Sequence, residues 1–136
     1  MEISKPKQVQ NYPENGVLNY LFRKKLKQTD MKTLLLVKES TAYFEGLPES
    51  IKAEMDAGNF QVVVYTANSD PIGVFIKRDV KEQPSEFQAK YHLKQATWFA
   101  IPSLNGFEVG DEIDCWAVYN PDIEPCLSLV IEKFAN

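Results

Sequence analysis

Residues 60–66 read FQVVVYT and residues 72–78 read IGVFIKR, with the turn-forming cluster ANSDP at 67–71 between them. Both runs are rich in β-branched and aromatic side chains, which suit a pleated, half-buried surface better than a helix. A five-residue polar connection is of hairpin length, and it is far shorter than the crossover of about a dozen residues that a parallel pair needs. The two runs are therefore expected to pair antiparallel.

Downstream, residues 95–101 (QATWFAI), 112–119 (EIDCWAVY) and 125–134 (PCLSLVIEKF) read as three more strands, divided by turn-rich segments at 102–111 and 120–124. Short connections favour a meander. In 112–119, alternation puts Ile113, Cys115, Ala117 and Tyr119 on one face and Asp114, Trp116 and Val118 on the other. Apolar bulk on both faces marks an interior strand. Residues 80–93 are charged and irregular, and Pro84 with Phe87 and Tyr91 at i, i+4 suggests a short helix.

Upstream, Pro48, the i, i+4 pair Ile51 and Met55, and a capping Gly58 outline a short helix over 48–57. Residues 33–39 and 41–45 read as one bent strand or two short ones. In 14–28, Leu18, Leu21, Phe22 and Leu26 fall at i, i+3, i+4 and i+8, a single helical stripe with Arg23, Lys24 and Lys27 on the other side. Those cations would meet the negative end of the helix dipole. Residues 1–13 lack periodicity and form an N-terminal arm.

The expected fold class is α+β: a single domain over 14–136, with a curved, mostly antiparallel sheet of six or seven strands. The N-terminal amphipathic helix packs on the sheet, and one or two short helices complete it. The composition agrees with one ordinary globular core, at 136 residues, 44% apolar, 25% charged and 12% aromatic. No apolar run approaches the roughly 18 residues of a membrane span, and residues 1–10 lack the pattern of a secretory signal. A cytoplasmic location is the expectation, with no membrane contact. Cys115 and Cys126 form no Cys-x-x-Cys pair and read as reduced, buried and inert.

The net charge of −4 conceals an asymmetry. The first 38 residues hold eight Lys or Arg against three acids, a charge of +5, so the remaining 98 residues carry −9. Such a chain suits self-complementary contact, and a homodimer is expected, with Arg23, Lys24 and Lys27 as partner-binding candidates. The sequence pI near 5.0 argues against nucleic acid as the partner.

Motifs for catalysis are absent. His92 is the single histidine and has no second imidazole to share a metal. Glu108, Asp111, Glu112 and Asp114 cluster around Gly110 without the spacing of a calcium loop, and read as a solvated turn. No metal and no cofactor is implied. Aromatics concentrate toward the C-terminus, and if Tyr91, Trp98, Trp116 and Tyr119 line one sheet face with Asp114, they make a ligand-binding surface with indole and phenol handles. Core packing accounts for most of them equally well.

The expected function is a non-enzymatic binding module that recognises a protein partner or a small organic ligand, apolar or aromatic, through that face. The alternative is a small enzyme using a buried carboxylate as acid or base, with Asp114 the residue to watch. Short, motif-free domains of this kind occur among bacterial accessory and mobile-element proteins, an association and not an argument from the residues.

Overall fold

In the run Phe60–Thr66, every second side chain is Phe60, Val62, Val64 or Thr66, and all four are buried. The intervening Gln61, Val63 and Tyr65 face the other way and are half-buried or exposed. This strand sits at the middle of the sheet. A computed structural model describes residues 5–13, 16–83 and 86–134, and in chain order it contains β1 (Val17–Lys25), β2 (Leu34–Leu36), α1 (Thr41–Glu45), α2 (Glu49–Ala57), β3 (Phe60–Thr66), β4 (Ser69–Gln83), β5 (Glu86–Leu93), α3 (Gln95–Trp98), α4 (Ala100–Asn105), β6 (Glu112–Tyr119) and β7 (Leu127–Lys133).

The strands form one seven-stranded sheet in the order β1-β6-β7-β3-β4-β5-β2. Every adjacent pair is antiparallel except β3 and β7, which run parallel. The sheet curls into a half-barrel, so the domain is α+β with a mostly antiparallel sheet, as the strand pattern implies. At the gap between its two edge strands, Lys24 Nζ of β1 donates to the Leu35 carbonyl of β2 at 2.7 Å. The concave side holds the main core, where Leu21, Phe22, Phe44, Met55, Trp98 and Ile101 pack with the inward faces of β3, β4, β6 and β7.

Four local expectations are corrected. The expected helix over 14–28 is replaced, among the described residues 16–28, by strand β1 at 17–25, paired along its length with β6. A register shift between Tyr20 and Phe22 lets Leu21 and Phe22 both reach the main core. That bulge makes an i, i+3, i+4 apolar pattern fit a strand. Leu18 points to the opposite face, and Leu26 enters the core beyond the strand.

Residues 80–83 complete β4 and residues 86–93 form β5 rather than a helix, since a spacing of four is even and suits a strand face as well as a helical one; Pro84 lies outside the described residues. Residues 95–101 are helical in α3 and α4, not a strand: Trp98, Ile101, Pro102 and Asn105 are buried at i, i+3, i+4 and i+7, and Gly106 caps the end at φ 66°. The C-terminal strands consequently make a two-strand hairpin, β6 with β7, and not a three-strand meander. Residues 41–45 are the helix α1, which turns Phe44 onto the Tyr91 ring at 4.8 Å between centroids.

Other readings hold. The run 60–78 is the β3–β4 hairpin, closed by Ala67 and Asn68 with Thr66 opposite Ser69. The helix α2 follows Pro48 and ends at Gly58, whose φ of 75° is the left-handed conformation that glycine adopts freely. β6 is interior, flanked by β1 and β7. No helix of the described residues is long and apolar enough to cross a membrane.

Candidate functional site

The cross-strand register of four strands sets two rows of side chains on the convex face. Tyr20 of β1 lies opposite Trp116 of β6, Trp116 opposite Val130 of β7, and Tyr65 of β3 beside Val130. One step along, Arg23, Asp114 and Glu132 form a second row across β1, β6 and β7. The first row is aromatic and apolar; the second is ionic.

Trp116 anchors the first row. It is 1% exposed and packs with Val118, Val130 and Val9, while Tyr12, Leu18, Tyr20 and Tyr65 surround it half-buried. The Tyr20 ring meets it edge-on at 5.4 Å. The indole Nε1 of Trp116 is buried without a hydrogen-bond partner among the described residues.

In the second row, Asp114 is buried and both of its oxygens are engaged. Oδ1 accepts from the Tyr20 hydroxyl at 2.8 Å and from Arg23 Nε at 2.8 Å, and Oδ2 accepts from Arg23 Nη2 at 3.1 Å. Burial, and then the bond to Asp114, push the Tyr20 phenol well above its ordinary value. Glu132, also buried, sits next to Asp114 across the ladder, where two like charges would repel. It accepts three backbone N–H groups of the arm, from Lys7 at 2.9 Å, Gln8 at 2.9 Å and Val9 at 3.3 Å. Three successive N–H groups converging on one carboxylate make a backbone nest, which ties residues 7–9 onto the sheet.

Beside the arm runs a groove of about 920 Å³ between Gln8, Gln10 and Asn11 on one wall and Asn68, Asp70 and Leu104 on the other. Its far wall is held by Asn105, whose Oδ1 accepts the Asn68 N–H at 2.9 Å and whose Nδ2 donates to Thr66 Oγ1 at 2.9 Å and to the Ile101 carbonyl at 3.1 Å. Both walls thus rest on buried polar side chains, Glu132 and Asn105. The lining is mostly amides and hydroxyls, which suits a polar ligand better than an apolar one.

The aromatic residues singled out from the sequence divide between the two faces. Trp116 and Asp114 share the convex face, as alternation implies. Trp98 lies in the main core with its Nε1 donating to the Asp30 carbonyl at 2.7 Å. Tyr91 is also in that core, stacked on Phe44, and its hydroxyl donates to Glu45 Oε1 at 3.0 Å and accepts from Arg78 Nε at 3.1 Å. Tyr119 packs at the edge of the same core. The two tryptophans therefore line neither a shared pocket nor a shared flat patch.

The basic candidates also separate. Arg23 pairs with Asp114, and its Cζ lies 3.6 Å from the Phe134 ring centroid. Lys24 is folded inward, donating to Asp30 Oδ1 at 2.7 Å, where Asp30 is 2% exposed. Lys27 remains exposed. His92 lies 3.3 Å from Asp79, and burial holds its imidazole below the ordinary value. Asp111 accepts the Glu108 N–H at 2.8 Å and pairs with Lys133, so this acidic stretch is a bonded turn. Among the described residues no three His, Cys, Asp or Glu side chains converge as a metal site would need.

Val9 and Glu132 were not singled out from the sequence. A glutamate at an interior position of an otherwise apolar strand was the available signal for Glu132, since such a carboxylate requires a partner. The chain matches no family model and no curated protein.

Proposed function

We propose that this chain is a non-enzymatic binding module that recognises a protein partner through the convex face of β1, β6, β7 and β3. The observation that carries the reading is the row Tyr20, Trp116, Val130 and Tyr65, crossing four strands with Tyr12 laid beside it. Tyrosine and tryptophan supply large contact area at small entropic cost and combine an apolar body with a polar tip, the composition of interface anchors. Half-buried tyrosines around a buried tryptophan are also the arrangement in which a partner would gain most by excluding water. Asp114 serves this face by fixing Tyr20 and Arg23; its engaged oxygens make it a support rather than an acid or base.

The expected homodimer is a further proposal that the same residues narrow. With Arg23 and Lys24 spent on internal pairs, Lys25 and Lys27 are the cations left exposed near β1 to meet an acidic surface.

Selection from a random peptide library tests the face. The immobilised wild-type chain is the target and a Tyr12→Ala/Tyr65→Ala chain the counter-target. Enrichment of ligands that bind wild type and lose at least tenfold on the double variant is expected. Enrichment indifferent to those tyrosines, or none, would overturn the reading.

A further inference from the structure

The arm over Glu132 is bound mainly through its backbone and the Val9 and Tyr12 side chains, with one further side-chain bond, from Gln8 Nε2 to the Lys133 carbonyl at 3.1 Å. Its Lys7, Gln8 and Val9 contribute backbone N–H groups, and among these three only Val9 is buried. Any chain that bends so that three successive N–H groups converge, with a small branched apolar residue at the third position, presents the same main-chain features. The receiving surface is built for such a chain. Glu132 is 5% exposed on an interior strand, and a carboxylate so placed is costly unless donors reach it.

A second observation concerns what the arm leaves undone. The Trp116 Nε1 beneath this cluster is buried and unpartnered among the described residues, and a buried donor without an acceptor carries a free-energy penalty. The arm fills the slot while leaving one donor unsatisfied. A competing segment that brings a carbonyl to that nitrogen would remove the penalty. The groove of about 920 Å³ alongside residues 8–11 gives such a segment a path to enter.

We infer that the Glu132–Val9 slot is a recognition site for a short bent peptide segment, and that the chain's own residues 7–9 occupy it as an internal, displaceable ligand. This rests on the proposed binding function and specifies its ligand: three consecutive backbone N–H donors ending on a valine-like residue, docked by main-chain bonds and one apolar pocket. The tether gives the arm an effective concentration in the millimolar range for a short link, about what an external segment must overcome. Partner binding is thereby coupled to arm release.

The test uses the full-length chain with Val9→Asp, whose arm cannot seat a charged residue in the apolar slot while the domain beneath is unaltered. A fluorescein-labelled peptide of residues 5–13 (KPKQVQNYP) is titrated by fluorescence anisotropy. Saturable binding to the Val9→Asp chain is expected, at least tenfold weaker to wild type, whose own arm competes, and at least tenfold weaker to Val9→Asp/Glu132→Gln. If circular dichroism shows that Val9→Asp disturbs the fold, Val9→Ser takes its place. Failure of the peptide to bind the arm-released chain, or equal affinity for all three chains, overturns the inference. If the peptide fails while selected ligands still depend on Tyr12 and Tyr65, the face binds by another chemistry. If those ligands fail too, the binding function itself falls.

Discussion

Arg23 and Asp114 stand opposite each other across the β1–β6 ladder, and the guanidinium closes on the carboxylate through Nε at 2.8 Å and Nη2 at 3.1 Å. A cation that composition alone would offer to a partner is thus part of the fold. The pair also fixes the Tyr20 hydroxyl on Asp114, and with it the edge of the aromatic row.

Replacing Asp114 with Asn strips Arg23 of its counter-charge and weakens the Tyr20 bond in a buried setting. Destabilisation of about 1–3 kcal/mol is expected, read as a lower urea midpoint with an unchanged slope. A midpoint equal to wild type would show that the pair is incidental.

Lys24 and Lys27 are three residues apart and should behave oppositely. Lys24→Gln leaves Asp30 buried without its cation, and removing one partner of a buried pair costs about 3 kcal/mol or more. Lys27→Gln changes an exposed side chain and should stay within about 0.5 kcal/mol of wild type. Equal effects of the two in thermal unfolding would contradict the inward placement of Lys24.

These two lysines also mark where the sequence was legible and where it was not. Strict alternation in 60–66 and 112–119, and the Gly58 cap, are local signals that agree with the tertiary structure, so the hairpin, β6 and α2 were readable. In 17–25 the signal was ambiguous: a bulge at Leu21 mimics helical spacing, and the pairing that decides the matter lies almost a hundred residues away. Without the strand, the inward turn of Lys24 and the partnership of Arg23 could not be seen. The shared face of Asp114 and Trp116 followed from parity alone. The separation of Trp98 from Trp116 did not, because α3 and α4 replace an expected strand.

Asn105 holds the groove wall by three hydrogen bonds. Asn105→Ala leaves the Asn68 N–H without its acceptor, while Thr66 Oγ1 keeps its bond to Ser69 Oγ, and should cost about 2 kcal/mol. It should also speed hydrogen exchange at the Asn68 amide selectively. Exchange at Asn68 as slow as in wild type would mean that the turn is held by something else.

His92 gives the domain a pH dependence of defined sign. Burial is the main cause of its lowered value, with Lys77 and Lys94 adding to it and Asp79 opposing. The folded state therefore binds fewer protons than the unfolded state, so this contribution is present above the ordinary value of 6.5 and is lost as pH falls through the lower folded value. Wild type should lose more stability than His92→Gln between about pH 7 and about pH 5. Parallel stability curves over that range would contradict the shift.

The most direct test of the convex face as the recognition surface is the indole N–H region of the nuclear magnetic resonance spectrum, because the chain has two tryptophans on opposite sides of the sheet. Titration of a peptide selected on this face is expected to move the Trp116 Nε1–H signal, with the amides of residues 7–9, and to leave the Trp98 Nε1–H signal in place on its bond to Asp30. A ligand that moves the Trp98 signal, or that perturbs amides on the concave side while Trp116 stays fixed, would contradict the account.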